Sequence, residues 1–202
     1  MHPAAGFRVE DEAALLAHLA AHPFATLAAT PEGRLLVAHA PVLARRAPQG
    51  LVLDFHLSRG NALSPFLAQG FRAVAVSLAA DAYISPGWYA DQGAVPAWNY
   101  VTVEAEGPVQ ALGDEGLVAL LDDLSDQEET RLLPKPIWTR AKMPAGKFET
   151  LCRAIVGARL TVERLEGTNK LSQNKSEADR AGVIAALGEH PIGRRMRGLG
   201  GT

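Results

Sequence analysis

Between Phe24 and Leu57 the chain carries three β-patterned runs, separated by turns too short to hold a helix. Phe24–Thr30 (FATLAAT), Leu35–Leu43 (LLVAHAPVL) and Leu51–Leu57 (LVLDFHL) are parted by Pro31-Glu32-Gly33 and Ala47-Pro48-Gln49-Gly50. A parallel crossover needs a dozen or more residues, so these strands must turn back on themselves as an antiparallel meander. Val52, Asp54 and His56 share one face of the third run. Pro41 marks an edge, a bulge or a place where pairing stops. Ser58-Arg59-Gly60-Asn61 then leads into a short helix over Ala62–Gln69, and Phe71–Leu78 (FRAVAVSL) reads as a buried strand. Val101–Leu112 alternates Val101, Val103 and Ala105 against Thr102, Glu104 and Glu106, a half-exposed fifth strand. With one arm of the intervening segment counted as a sixth, these strands imply a closed or nearly closed small barrel.

Helical patterns flank this β framework. Asp11–Ala20 opens on acidic residues, which complement the helix dipole, and His22-Pro23 ends it. Asp114–Leu124, Lys147–Ile155 and Ser176–Leu187 follow, the last with Ser176 as its N-cap. Val156–Leu165 returns as a strand. The expected fold class is mainly β with flanking helices (α+β), as one domain over residues 1–189 with a flexible Gly/Arg-rich tail over 190–202.

Net charge is −2 with a pI near 6.3, which supplies no overall field to attract nucleic acid or an anionic membrane. Cys152 is the only cysteine, so an intramolecular disulfide is excluded and a reducing compartment is expected. The N-terminal stretch lacks the basic and apolar regions of a signal peptide, and no apolar run is long enough to span a bilayer. The expectation is a cytoplasmic protein.

Tyr83–Tyr100 (YISPGWYADQGAVPAWNY) gathers all 3 tyrosines and two of the 3 tryptophans, broken by Pro86 and Pro96. Such residues join an apolar face to a polar handle and suit a core, an interface or a planar ligand. Asn99, between Trp98 and Tyr100, favours polar recognition. Ser58, Arg59 and Asn61 sit between a strand and a helix start, where free backbone N–H groups and an Arg fork make a phosphate cradle. His39 and His56 have no partner at metal-ligand spacing, Ser85 lacks a nucleophile elbow, and no P-loop or G-x-G-x-x-G is present. Cys152 reads as a packed thiol.

Three phrases converge on a family. AYISPGWY (Ala82–Tyr89), VPAWNY (Val95–Tyr100) and KLSQNK (Lys170–Lys175) resemble the PaiB-like FMN-binding negative transcriptional regulators, within the pyridoxamine-phosphate-oxidase-like split-barrel flavoproteins. HLSRGN (His56–Asn61) is similar to a further phrase of that family. The resemblance implies a homodimeric split barrel that holds FMN in a groove built from both subunits. It implies phosphate contacts from Ser58, Arg59 and Asn61, with His56 in the same phrase. It places His39, Ala40, Pro41 and Val42 along the isoalloxazine, where they supply backbone contacts. Trp98, Asn99 and Tyr100 become the partner-subunit wall, and Lys170, Ser172, Gln173 and Asn174 the flavin rim. Two functions follow: a flavin-linked transcriptional regulator or sensor, and an FMN-dependent oxidoreductase with His39 or Tyr83 as proton donor. A ligand-storage module is a third. The chain offers no helix-turn-helix, and its basic cluster of Arg194, Arg195 and Arg197 lies in the tail, so DNA binding rests on the family name alone.

Overall fold

The short Pro/Gly turns do set an antiparallel meander, and the strands it joins close on themselves. The computed structural model describes residues 4–91 and 93–199. Its elements are β1 (Arg8–Val9), α1 (Glu12–Ala21), β2 (Phe24–Ala29), β3 (Leu36–Ala47), β4 (Gly50–Ser58), β5 (Phe71–Ile84) and β6 (Ala97–Ala111), followed by α2 (Asp114–Thr130), α3 (Lys147–Cys152), β7 (Ile155–Thr161), β8 (Arg164–Lys170), α4 (Glu177–Leu187) and α5 (Pro191–Gly198). Strand order is β1-β8-β6-β5-β2-β3-β4-β7, and an added β6–β7 pairing closes six of these strands into a barrel.

The sixth barrel strand differs from the expected one. It is β7, while the ends of the aromatic segment extend β5 to 14 residues and β6 to 15. The alternation carries on through Tyr83-Ile84 and Ala97–Tyr100, and the Pro and Gly residues break only the stretch between.

The chain divides into two compact units, the first formed by Leu19–Val76 and Ala105–Leu165. Its core takes Leu27, Leu53, Phe55, Val109 and Leu160, all essentially fully buried. α2 packs on β3, β4 and β7 through Leu117, Leu120 and Leu124. The even residues of β4 are therefore covered as well as the odd ones, and Val52 is as buried as Leu53. Pro41 marks a hand-over: β3 pairs with β2 over Leu36–Pro41 and with β4 over Val42–Ala47. Gly107 sits where β6 crosses β7. A Cβ there would lie 1.8 Å from the Thr161 carbonyl oxygen, so only glycine allows this approach.

The second unit comprises, among the described residues, 4–18, 77–104 and 166–199. Ile84, Tyr89, Val101, Leu171, Val183, Ile192 and Met196 form its core. The expected flexible tail is instead α5 over Pro191–Gly198. Its Ile192 and Met196, four apart on one face, are fully buried. Residues 200–202 of that expectation lie outside the described residues. α4 presses on the Pro86–Trp88 turn, where a Cβ on Gly182 would come within 2.1 Å of the Trp88 carbonyl oxygen.

Ser176 caps α4 as expected, accepting the Asp179 N–H at 3.2 Å and donating its hydroxyl to Asp179 at 2.8 Å. Asp179 also accepts the Asp91 N–H at 3.0 Å. That backbone bond, reinforced by Ser176, holds its carboxyl below the usual range. A depressed carboxylate stabilises the fold above its unfolded value and loses that contribution as pH falls through the folded one. We expect the contact between α4 and the chain at Asp91 to loosen below about pH 4. Trp88 and Tyr89 fluorescence should report it, and Asp179→Asn should be flat over the same range. An identical titration in Asp179→Asn would assign the change to another group.

No helix among the described residues is long and apolar enough to cross a membrane.

Candidate functional site

β4 delivers its last residue, Ser58, to a turn locked by its own polar groups. The Ser58 carbonyl accepts the Asn61 N–H at 2.9 Å and the Ser64 hydroxyl at 2.7 Å, and its Oγ accepts the Gly60 N–H at 3.2 Å. Asn61 Oδ1 accepts the Leu63 N–H at 2.9 Å. The Arg59 N–H donates to the Ala154 carbonyl, also at 2.9 Å. The backbone donors of Arg59, Gly60 and Asn61 are thus consumed, contrary to the free N–H groups expected from the sequence. The expected helix is a 3₁₀ turn over Ser64–Ala68, so no α-helix N-terminus faces this loop. What remains for an anion is side chains. Arg59 donates Nε–H to the Arg153 carbonyl at 2.9 Å, which aims its guanidinium and leaves both Nη groups without a protein partner among the described residues.

One cleft adjoins this loop, a second shares residues with it, and a third shares residues with the second. Arg59, Arg140, Arg153, Phe148 and Cys152 line one of about 410 Å³. Arg140, Phe148 and Cys152 also line a larger one of about 740 Å³, walled by Leu121, Ile137, Trp138, Met143, Leu151 and Ile155. Leu121, Ser125 and Trp138 carry on into a third, of about 310 Å³, which holds the expected site residues Pro41 and His56. Nδ1 of His56 is buried without a hydrogen-bond partner, and burial pushes its pKa down. His39 is exposed on the outside of β3, bonded through Nδ1 to the Thr26 hydroxyl at 3.1 Å and stacked on Phe24 at 6.4 Å. Ala40 and Val42 point into the barrel core, so only their backbone is available to a ligand.

Sequence reading missed Trp138, Arg140, Phe148 and Arg153. Trp138 and Arg140 lie in the irregular stretch after α2, where no periodicity marks a face, while Phe148 and Arg153 lie in and at the end of the short α3, too short for its pattern to single out a face. Arg140 stacks over Phe148 at 4.8 Å and pairs with Asp122 at 3.1 Å. Cys152 is half-buried on the shared wall, its thiol pushed up by burial and then by Glu149, as befits a packed rather than a reactive group.

The remaining expected residues lie in the second unit. Asn99, Lys170, Ser172, Gln173 and Asn174 share one cleft of about 540 Å³, which Trp98 and Tyr100 do not line. The buried Asn99 donates Nδ2 to Ser172 Oγ at 2.9 Å, tying the WNY phrase to KLSQN. Gln173 folds back onto its own turn, accepting the Leu171 N–H at 2.7 Å and donating to the Asn169 carbonyl. Trp98 is exposed and meets Tyr83 edge-on at 6.1 Å.

Residues 1–164 match the family model described as "Putative FMN-binding domain". The chain belongs to this FMN-binding family. FMN is accordingly its cofactor, and the resemblance read from the three phrases holds. The chain is also 26% identical over 195 residues to "Protease synthase and sporulation protein PAI 2" of Bacillus subtilis, covering 96% of this chain and 93% of that one. A protein of Emericella nidulans is 30% identical over 118 residues, 52% of this chain and 47% of that one.

Among solved structures, the conserved hypothetical protein Rv2991 of Mycobacterium tuberculosis superposes with a TM-score of 0.61 at 13% identity, covering 88% of this chain and 95% of that one. The FAD and heme binding protein of Mycobacterium smegmatis gives 0.59 at 19% identity, covering 91% and 81%. These likenesses carry the fold alone, and it is the split β-barrel expected from the sequence.

The first unit suits FMN chemically. A phosphate needs charged donors, and Arg59 offers two open ones. A planar ring needs an apolar slot with a few polar atoms, and the clefts joined through Trp138 are mostly apolar and reach His56. The match to the family model stops before KLSQN, so the cleft of the second unit takes Tyr89, Val95, Ala97 and Asn99 from the matched residues and its KLSQN side from beyond them.

Proposed function

We propose that the chain is an FMN-binding, homodimeric, cytoplasmic regulator that holds the flavin phosphate at Ser58, Arg59 and Asn61. The observation that carries this reading is Arg59, steered by its Nε–H bond with both Nη groups open. In the first unit, His39–Val42 would lie beside the ring and Pro41 and His56 at its edge. In the second, Trp98, Asn99 and Tyr100 would form the wall from the partner subunit, and Lys170, Ser172, Gln173 and Asn174 the flavin rim. Bound FMN supplies hydride or electron chemistry, and the chain supplies position, charge and exclusion of water. Dimerisation is supported by apolar groups left exposed in each unit, Phe24, Leu35 and Val37 in the first and Leu78, Tyr83, Val95 and Trp98 in the second. The regulatory role is supported by the alignment along nearly the whole length of PAI 2, whose name refers to protease synthesis and sporulation.

The visible spectrum of the purified protein tests the cofactor. Oxidised-flavin bands, or a rise in Tm on adding FMN, are expected, and a colourless protein that FMN does not stabilise would overturn the assignment. Mobility shift of the DNA upstream of its own gene, with oxidised and reduced flavin, tests the regulatory role. α5 belongs to the core of its unit, so Arg194→Gln on its exposed side is a sounder DNA-binding probe than deletion. An oxidoreductase reading is favoured by His39, whose exposed ring is held by Thr26 and Phe24 with Nε2 open. Anaerobic mixing with NADPH separates the two, since bleaching of the flavin supports the reductase.

A further inference from the structure

We infer that the cleft in the second unit is a binding site for a small organic anion, a carboxylate on an apolar body, which Lys170 and Lys175 recognise. The inference goes beyond the FMN assignment, which brings the flavin rim to Lys170, Ser172, Gln173 and Asn174 and leaves Lys175 and the apolar wall of this cleft unassigned. Lys170 and Lys175 are the charged residues that line this cleft, and no Asp or Glu lines it. Lys170 has no ion-pair partner among the described residues. Lys175 lies over the Tyr89 ring at 4.9 Å. Asp179 acts on Lys175 through its charge, but its oxygens already take the Asp91 N–H and the Ser176 hydroxyl. Two ammonium groups on one cleft without a facing carboxylate create a positive potential that an anion would neutralise.

The turn that presents them is built at a conformational cost. Ser172 is non-glycine with φ of 60°, in the left-handed region, and it is buried. Its carbonyl accepts the Lys175 N–H at 3.1 Å, and its hydroxyl is pinned by Asn99. The distortion puts Leu171 into the core while Lys170 and Lys175, at the two ends of the turn, both reach the cleft. Strain of this kind persists where the surroundings enforce it, and it clusters at binding sites. The ligand class follows from the walls. Phe7, Val95 and Ala97 supply apolar surface, and the Gln173 amide is occupied by its own turn. No Arg fork lines the cleft, so bidentate recognition of a phosphate is missing and the two ammonium groups act as separate point charges beside the apolar wall.

The test titrates FMN-saturated full-length protein with benzoate and, separately, with its neutral isostere benzamide, following Tm. Benzoate is expected to raise Tm saturably in the millimolar range or tighter, and benzamide much less. Lys175→Gln should weaken the benzoate response at least about fivefold, and Lys175→Arg should keep most of it. Equal responses to the two compounds, no response to benzoate, or an unchanged response in Lys175→Gln would each overturn the inference. So would inorganic phosphate acting more strongly than benzoate, which would name the wrong anion. Loss of the flavin bands in Lys175→Gln would make Lys175 a flavin contact and overturn it as well. Repeating the titration without FMN separates the two readings, because benzoate binding by a protein that never takes up FMN leaves this site standing and removes the flavin one.

Discussion

Arg59→Ala is expected to raise the Kd for FMN about 10- to 100-fold, the loss of one charge-assisted contact to phosphate at roughly 1.5–3 kcal/mol. Three features make the effect large. The guanidinium is oriented before the ligand arrives, because its Nε–H is spent on the Arg153 carbonyl at 2.9 Å and so little freedom remains to be lost. The backbone N–H groups of Arg59, Gly60 and Asn61 are already bonded within the protein, so none is left to replace the missing fork. Arg140 and Arg153 line the same cleft, but Arg140 is paired with Asp122, and Arg153 donates to Thr150 at 3.0 Å. Arg59→Lys should recover part of the affinity, since an ammonium keeps the charge but not the two-pronged geometry. Riboflavin, which lacks the phosphate, provides the internal control, and its affinity should be the same in wild type and Arg59→Ala. Flavin fluorescence quenching measures both. An unchanged Kd for FMN would move the phosphate away from this loop, and an equal loss for riboflavin would show a distorted site rather than a missing phosphate contact.

How much of this was legible from the sequence depended on the range of the interaction that decides each feature. Turns are local, so Pro31-Glu32-Gly33 and Pro48-Gln49-Gly50 marked the meander, and Ser176 marked the start of α4. Pro41, with no N–H to give a ladder, could be read only as an edge, a bulge or a stop in pairing, and the structure makes it the point where β3 changes partner. The identity of the sixth barrel strand was not. Closure is a contact between β6 and β7, some fifty residues apart in the chain, and nothing local in Ile155–Thr161 sets it apart from any other strand. The tail misled for a related reason. Its Gly and Arg residues dominate the composition, whereas two apolar residues, Ile192 and Met196, decide its fate. At the candidate site the residue types could be picked out, but the free or bonded state of each donor could not. That state depends on partners such as Ala154 and Arg153, which arrive from β7's approach.

Asp54→Ala is expected to destabilise the fold by about 3–5 kcal/mol, the penalty for removing one partner of a buried ionic network. Asp54 is 1% exposed. Its two oxygens take Arg159 Nε at 2.7 Å and Nη2 at 2.8 Å, a bidentate pair across β4 and β7, and Arg45 Nε from β3 lies 3.0 Å away. Arg45 reaches on through Nη1 to Asp123 of α2, also at 3.0 Å. One carboxylate therefore joins three barrel strands and, through Arg45, the helix that covers them. Its hydrogen bonds are the main cause that raises the Arg159 pKa. Truncation leaves Arg159 without its carboxylate and Arg45 with Asp123 alone. For a chain of this size the loss corresponds to a fall in Tm of roughly 6–20 °C, readable by calorimetry or urea titration. Asp54→Asn, which keeps the shape and loses the charge, should fall between wild type and Asp54→Ala. The penalty comes from stranding the arginines rather than from the worth of the pair itself, so Asp54→Ala with Arg159→Met should be more stable than Asp54→Ala alone. If the double variant is instead less stable by the full sum of the two single losses, Arg159 has a partner of its own and Asp54 is not the hub of the network. A loss below about 1 kcal/mol for Asp54→Ala would mean that water reaches both arginines and that the covering helix gains little from the carboxylate beneath it.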